Sequence, residues 1–210
     1  METEPTIFVV DDEEQSRASV CALVQSMGMQ AESFSSAEQF LGSYREGRPG
    51  CLVTDVRMPG LNGLELQEEL QRRDIGLPLI VITAYARTSL TVRAVQRGAV
   101  AVLDKPYEND DLAEAIRTAL TQDAVRRSEQ EQQRQIQRRI GSLTPSERKV
   151  LDLMVRGLPN KSIARRLNVS VRTVESRRHA VFSKMQAPSV VALMRVMMIA
   201  ELDASPHRGA

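Results

Sequence analysis

Cysteine is nearly absent from this 210-residue chain. Cys21 and Cys51 form no CxxC pair, which excludes a disulfide framework and a thiolate metal motif. They fall in a helix-like and a strand-like segment and read as small buried hydrophobes of a reducing compartment. Long apolar runs are missing too. The nearest, residues 190–200, is interrupted by Arg195, so no segment reads as a membrane span. Met1-Glu2-Thr3-Glu4-Pro5 lacks the basic region of a signal peptide, and a cytoplasmic location is expected. Net charge is also small, +1 over the whole chain, but that value conceals a division. Residues 1–122 carry 11 Lys and Arg against 19 Asp and Glu, whereas residues 123–210 carry 17 against 8. An acidic half is joined to a basic half, and only the second suits a polyanion. Two unlike solvated surfaces, segregated by chance, are the lesser alternative.

The first half alternates short apolar runs with stretches of helical period, the pattern of βα units. Strands are predicted over 7–10, 30–34, 51–55, 79–83 and 101–103, and the second is the weakest. Helices are predicted over 14–27, 36–44, 64–73 and 89–97, with a fifth from Asn109. In the first of these, Ala18, Cys21, Ala22 and Val24 are the expected inward positions, with Gly28 as C-cap. Five parallel strands with helices on both faces make an α/β doubly wound fold. Leu112, Ile116, Leu120 and Val125 keep helical spacing into a segment rich in Gln, Arg and Glu, where Ile136 and Ile140 return. The fifth helix is therefore expected to continue as a charged linker over 123–141.

Four strand-like runs end in polar groups: Asp11-Asp12, Asp55, Thr83 and Asp104-Lys105-Pro106. In a parallel sheet the carboxyl ends of the strands share one edge, where ligands bind. Singly, each has a mundane reading. Asp11-Asp12-Glu13-Glu14 suits a helix N-terminus, Thr83 a strand-end turn and Lys105 a solvated surface. Four at successive strand ends favour a shared site. Carboxylates, a hydroxyl and an ammonium suit Mg²⁺ and a phosphoryl group. Asp12 and Asp55 could bind Mg²⁺ directly, with Asp11 acting through water. Lys105 and Thr83 suit phosphate oxygens. The residues leave the isomer of the Lys105–Pro106 bond open.

Residues 5–122 resemble the flavodoxin-like receiver domain of two-component response regulators. The resemblance implies that Asp55 is the phosphoacceptor and that Asp11, Asp12, Asp55 and the Arg57 main-chain carbonyl hold Mg²⁺. It also implies that Thr83 is the switch hydroxyl and Lys105 the phosphate-sensing lysine. Val102 stands where receivers usually carry an aromatic residue, and Tyr85 and Tyr107 flank the site as substitutes or surface aromatics. The segment Ala84-Tyr85-Ala86-Arg87 lacks the glycine and aspartate common in close relatives.

The basic half opens on Thr144-Pro145-Ser146-Glu147, the elements of a capping box with proline at N1. Helices are expected from there to Gly157, over 161–167 with Asn160 as cap, over 171–185 with Ser170 as cap, and over 189–200. Two short helices joined by a three-residue turn, before a basic helix, read as helix-turn-helix. On a helical wheel Val174, Val181 and Met185 form the core face of the third helix, flanked by Val171 and Phe182. Arg172, Glu175, Ser176, His179 and Ser183 lie opposite, between Arg177 and Arg178. Lys161, Arg165 and Arg166 add charge from the preceding helix. A solvated amphipathic helix is the plain alternative to a groove reader.

Residues 142–203 closely resemble the LuxR-type helix-turn-helix, through Leu143-Thr144-Pro145-Ser146-Glu147, Gly157-Leu158-Pro159-Asn160-Lys161-Ser162-Ile163-Ala164, Thr173-Val174-Glu175 and Lys184-Met185. The resemblance implies base-facing Glu175, Ser176 and His179, and backbone-contacting Lys161, Thr173 and Arg177; the helical wheel alone places Arg178, with Arg177, to reach phosphates. Arg177 replaces a histidine common in the family. Val190, Val191, Leu193, Met194, Met197 and Met198 give the last helix either a dimer face or a buried one. Residues 204–210 read as a disordered tail.

The combined architecture resembles the FixJ/NarL class of response regulators. It implies a transcription factor that is phosphorylated by a sensor histidine kinase and dimerises on promoter DNA, with RNA polymerase as a further partner. Two alternatives remain. One is a DNA-binding regulator whose receiver only dimerises. The other is an aspartyl-phosphate hydrolase, which would need a second acid at the position of Arg57. Turnover catalysis is not expected.

Overall fold

A computed structural model describes residues 4–84 and 88–202. Tyr85, Arg87 and the 204–210 tail lie outside the described residues. Among those described, the chain runs β1 (Thr6–Val10), α1 (Glu14–Ser26), β2 (Gln30–Phe34), α2 (Ala37–Ser43), β3 (Gly50–Asp55), α3 (Gly63–Arg72), β4 (Leu79–Thr83), α4 (Thr88–Gln96) and β5 (Ala101–Asp104). It continues through α5 (Asn109–Gly141), α6 (Pro145–Val155), α7 (Asn160–Leu167), α8 (Val171–Met185) and α9 (Val190–Leu202). No described helix is long and apolar enough to cross a membrane. The chain divides into two compact units at Arg127/Ser128, and α5 carries residues of both.

In the first unit the strands pair in parallel in the order β2-β1-β3-β4-β5. The inner strands are buried on both faces, which is why their sequences carry continuous apolar runs, Ile7–Val10, Cys51–Val53 and Leu79–Ile82. Alternate residues serve opposite cores. Phe8, Val10, Leu52 and Val81 pack with Phe40, Leu66 and Leu70 of α2 and α3. Ile7, Val9, Val53 and Ile82 pack with Val20 and Val24 of α1 and with Leu112 and Ile116 of α5. Strand β2 is an edge, and only Phe34 is buried, which explains its weaker signal. Cys51 lies in this core as expected, and burial pushes its thiol up to about 12.

The predicted inner face of α1 requires correction. Val20 and Val24 point inward, Cys21 is half-buried, and Ala18 and Ala22 are exposed. The larger aliphatic side chains remove more apolar surface from water, so the helix rotates to bury them rather than alanine. Gly28, at φ +74°, follows the helix end and donates its N–H to Gln25.

In the second unit α6, α7, α8 and α9 enclose Val150, Leu151, Met154, Ile163, Val174, Val181, Met185 and Leu193. Ile136 and Ile140, from the last turns of α5, are buried in the same core. The Thr144 capping box forms, with Glu147 reaching back to the Thr144 N–H. Asn160 does not cap α7. The Pro159 carbonyl accepts the first helical N–H groups, from Ser162 and Ile163, so Pro159 is the N-cap and Asn160 the first helical residue. Val171 also departs from expectation. It stands at the first position of α8, beyond the packed layer, and is 38% exposed.

Gly63 ties this architecture to the strand edge. It opens α3, donates to the Val56 carbonyl at 3.0 Å, and sits so close to β3 that an added Cβ would run into the Asp55 carbonyl oxygen. Gly63→Ala should therefore destabilise the first unit by about 1–3 kcal/mol, the usual cost of overpacking. Thermal or urea unfolding of the full chain reads the effect, and an unchanged first-unit transition would contradict it.

Candidate functional site

The strand ends converge as the sequence predicts. Asp11 follows β1, Asp55 ends β3, Thr83 ends β4 and Lys105 follows β5. Asp11, Asp55 and Thr83 are buried, at 6%, 8% and 1% exposure, although all three are polar. The Lys105 ammonium donates to Asp55 Oδ1 at 2.8 Å and to Asp11 Oδ2 at 3.1 Å. Its third partner, the Ser16 hydroxyl at 3.0 Å, is one that sequence reasoning missed. Ser16 lies in the first turn of α1 and belongs to no motif, so only the fold reveals it.

Backbone geometry fixes the participants. The Lys105 N–H donates to the Thr83 carbonyl at 2.8 Å, extending the β4–β5 pairing one residue beyond the sheet. The Lys105–Pro106 peptide is cis. The Arg57 N–H folds back onto Asp55 Oδ2 at 2.5 Å, and the Glu13 N–H caps Asp11 Oδ1 at 2.9 Å. Both carboxylates thus accept a backbone N–H as well as the Lys105 ammonium.

Burial of Lys105 opposes its charge. The hydrogen bonds it donates to Asp55 and Asp11 outweigh that desolvation and hold its pKa above the ordinary lysine value. Burial likewise pushes the Tyr107 phenol up, and its half-buried ring packs on the α1–α5 side of the sheet. Val102, paired with Val81, packs partly against the opposite core.

The acidic side chains do not all gather. Asp11 and Asp55 share one ammonium, whereas Asp12 is exposed. Among the described residues no three His, Cys, Asp or Glu side chains converge as a ready-made metal cage. The carboxylates of Asp11 and Asp55 still fit Mg²⁺ in their chemistry, since it takes one or two carboxylates and completes its shell with waters.

The second unit presents its own surface. Arg172, Glu175, Ser176, His179 and Ser183 are all exposed along one side of α8, opposite buried Val174, Val181 and Met185. Arg177 and Arg178 are half-buried between these sides, and the Arg178 guanidinium lies 5.6 Å from the Phe182 ring centroid. Lys161, Arg165 and Arg166 are exposed on α7. Thr173 is partly committed to the helix start, because Ser170 Oγ accepts its N–H and lies 2.8 Å from its hydroxyl. On α9, Leu193 is buried while Val191, Met194 and Met198 are exposed. That helix therefore has both a core side and an apolar outer side.

Comparison with known proteins agrees with both surfaces. Residues 7–117 match the response regulator receiver domain, and residues 141–197 match the LuxR family of bacterial regulatory proteins. The chain is a response regulator. It belongs to the transcription factors that join a receiver to a LuxR-type DNA-binding domain. It is 37% identical to the transcriptional regulatory protein FixJ of Azorhizobium caulinodans, over 95% of this chain and 97% of that one. It is 39% identical to FixJ of Rhizobium meliloti, over 93% and 96%. Among solved structures, the response regulator StyR matches with a TM-score of 0.87 and 40% identity, over 93% of this chain and 99% of that one. Full-length FixJ from B. japonicum matches with a TM-score of 0.56 and 36% identity, over 95% and 98%.

Within the regulator's LuxR-type domain, Lys184 of α8 donates to Glu147 Oε2 at 2.7 Å and to the Ser142 carbonyl at 3.2 Å. The Lys184 ammonium, then the Thr144 N–H, hold the Glu147 carboxyl below the usual range. A depressed carboxylate stabilises the fold above its unfolded pKa and loses that contribution as pH falls through the folded value. Glu147→Gln should therefore melt earlier than wild type at pH 7, and the difference should vanish well below pH 4. Melting curves across that range check it, and a gap that persists in acid would contradict it.

Proposed function

We propose that Asp55 is the phosphoacceptor of this regulator and that its acyl phosphate raises promoter binding by the LuxR-type domain. The observation that carries this reading is the Lys105 ammonium placed at 2.8 Å from a buried strand-end carboxylate. A carboxylate is a weak nucleophile, but phosphoryl transfer asks chiefly for positioning and charge neutralisation. An Asp55 oxygen forms the new O–P bond, and the donor's P–O bond breaks as the leaving group takes the electron pair. Lys105 and Thr83 hold the arriving phosphoryl oxygens. Asp11, Asp12, Asp55 and the Arg57 main-chain carbonyl would hold Mg²⁺. Bound there, the ion supplies positive charge to the phosphoryl oxygens.

The donor in this reading is a sensor histidine kinase in the cytoplasm, and the phosphorylated regulator is a homodimer that acts with RNA polymerase. The functional divisions are a receiver over 5–122, a helical linker over 123–141 and a DNA-binding domain over 142–203. The chain accepts a phosphoryl group but performs no turnover, since Arg57 stands where a hydrolase needs its second acid. On α8, Glu175, Ser176 and His179 read base edges, while Lys161, Thr173, Arg177 and Arg178 contact the backbone. The exposed polar side of that helix, with basic side chains at its margins, supports this assignment.

Acetyl phosphate or beryllofluoride with Mg²⁺ should tighten promoter binding, and Asp55→Asn should abolish the gain. Equal affinity with and without the phosphoryl mimic would instead favour a receiver that serves only for dimerisation. Arg178→Ala should weaken binding to all sequences alike and lower the log–log salt slope by about one. Binding measured at several salt concentrations tests this, and an unchanged slope would remove Arg178 from the contact set.

A further inference from the structure

The Lys105 ammonium has three protons and three acceptors, and these acceptors are not equivalent. Asp55 Oδ1 and Asp11 Oδ2 are charged, and both carboxylates have a second task in the proposed chemistry, as nucleophile or as oxygen donors to Mg²⁺. The Ser16 hydroxyl at 3.0 Å is neutral and has no other task. It is set in the first turn of α1, a helix anchored to the sheet through Val20 and Val24. Lysine is a flexible four-carbon stem carrying a point charge, so where its charge rests depends on what holds the ammonium.

We infer that Ser16 is a positioning residue for Lys105, holding its ammonium at the strand edge while Asp55 changes from carboxylate to acyl phosphate. The inference rests on the phosphoryl-transfer reading above. In that transfer an Asp55 oxygen forms the O–P bond and the P–O bond to the donor breaks. With acetyl phosphate as donor, acetate leaves with the electron pair and no proton is consumed. Asp55 loses its negative charge in the step and becomes a poorer hydrogen-bond acceptor. Lys105 must then move one N–H from Asp55 to a phosphoryl oxygen. An ammonium held by both Asp11 and Ser16 makes that exchange by a short shift. Held by Asp11 alone, this side chain, already 24% exposed, turns toward water.

The test compares full-length wild type, Ser16→Ala and Ser16→Thr. Phosphoryl uptake from acetyl phosphate with Mg²⁺ is timed by intact-protein mass, Mg²⁺ affinity is measured by titration calorimetry, and the Lys105 ammonium is followed by ¹⁵N–¹H correlation without Mg²⁺. Ser16→Ala should slow uptake about three- to tenfold, the scale of one ordinary intramolecular hydrogen bond. Mg²⁺ affinity should stay within about twofold while the ammonium resonance broadens. Ser16→Thr, which keeps the hydroxyl, should restore both rate and resonance. Wild-type uptake by the alanine variant, or a threonine variant as slow as alanine, would overturn the inference. If the wild type takes up no phosphoryl group, that failure belongs to the phosphoacceptor reading. The ammonium resonance then decides Ser16 by itself: broadening in Ser16→Ala supports the inference, and an unchanged signal refutes it.

Discussion

One ammonium between two buried carboxylates organises the receiver. Lys105 supplies a positive charge to two buried carboxylates, Asp55 at 2.8 Å and Asp11 at 3.1 Å. The surrounding geometry keeps Lys105 in place. The β4–β5 pairing carries its backbone past Thr83, the Arg57 N–H turns the β3 loop back on Asp55, and Gly63 lets α3 begin directly behind that loop. The raised Lys105 pKa has a definite sign. Its stabilising contribution is fully present below the unfolded lysine value and is lost only as pH rises through the folded one, so neutral conditions leave Lys105 charged.

The middle of α5 and its last turns are bound in different ways. Asp123 is 2% exposed, accepts the Gly50 N–H at 3.0 Å and pairs with Arg126 at 2.6 Å, so its carboxylate belongs to the interior of the receiver unit. Arg127 reaches the Gly47 carbonyl at 2.6 Å. Ile136 and Ile140, by contrast, are buried in the core of the second unit. A charged stretch that reads as solvated linker therefore has a buried carboxylate near one end and an apolar anchor at the other.

Much of this was legible in the residues because parallel strands and amphipathic helices leave strong periodic marks. Leu79-Ile80-Val81-Ile82 announces a strand buried on both faces, and Thr144-Pro145-Ser146-Glu147 announces a helix start through its own side-chain chemistry. The convergence of Asp11, Asp55, Thr83 and Lys105 follows once the sheet is parallel. What stayed hidden depends on how elements sit against each other. Ser16 and Asp123 are single polar residues in helices, and their importance comes from partners 89 and 73 residues away. Ala18 and Ala22 were misplaced because alanine fits either side of a helix. Asn160 was misplaced because a good capping residue yields when the carbonyl before it already closes the first turn.

The Glu147–Lys184 pair has a consequence for recognition. Glu147 completes the cap of α6 while its other bond holds the last turn of α8, and Ser170 closes the first turn of the same helix. With both ends fastened, α8 is already ordered in the free chain. Little conformational entropy is lost on contact, so the heat-capacity change of DNA binding should report surface desolvation rather than folding of the reader. Where α8 is the reading helix proposed above, discrimination between operators rests on which groups it displays, because its shape is settled before the encounter.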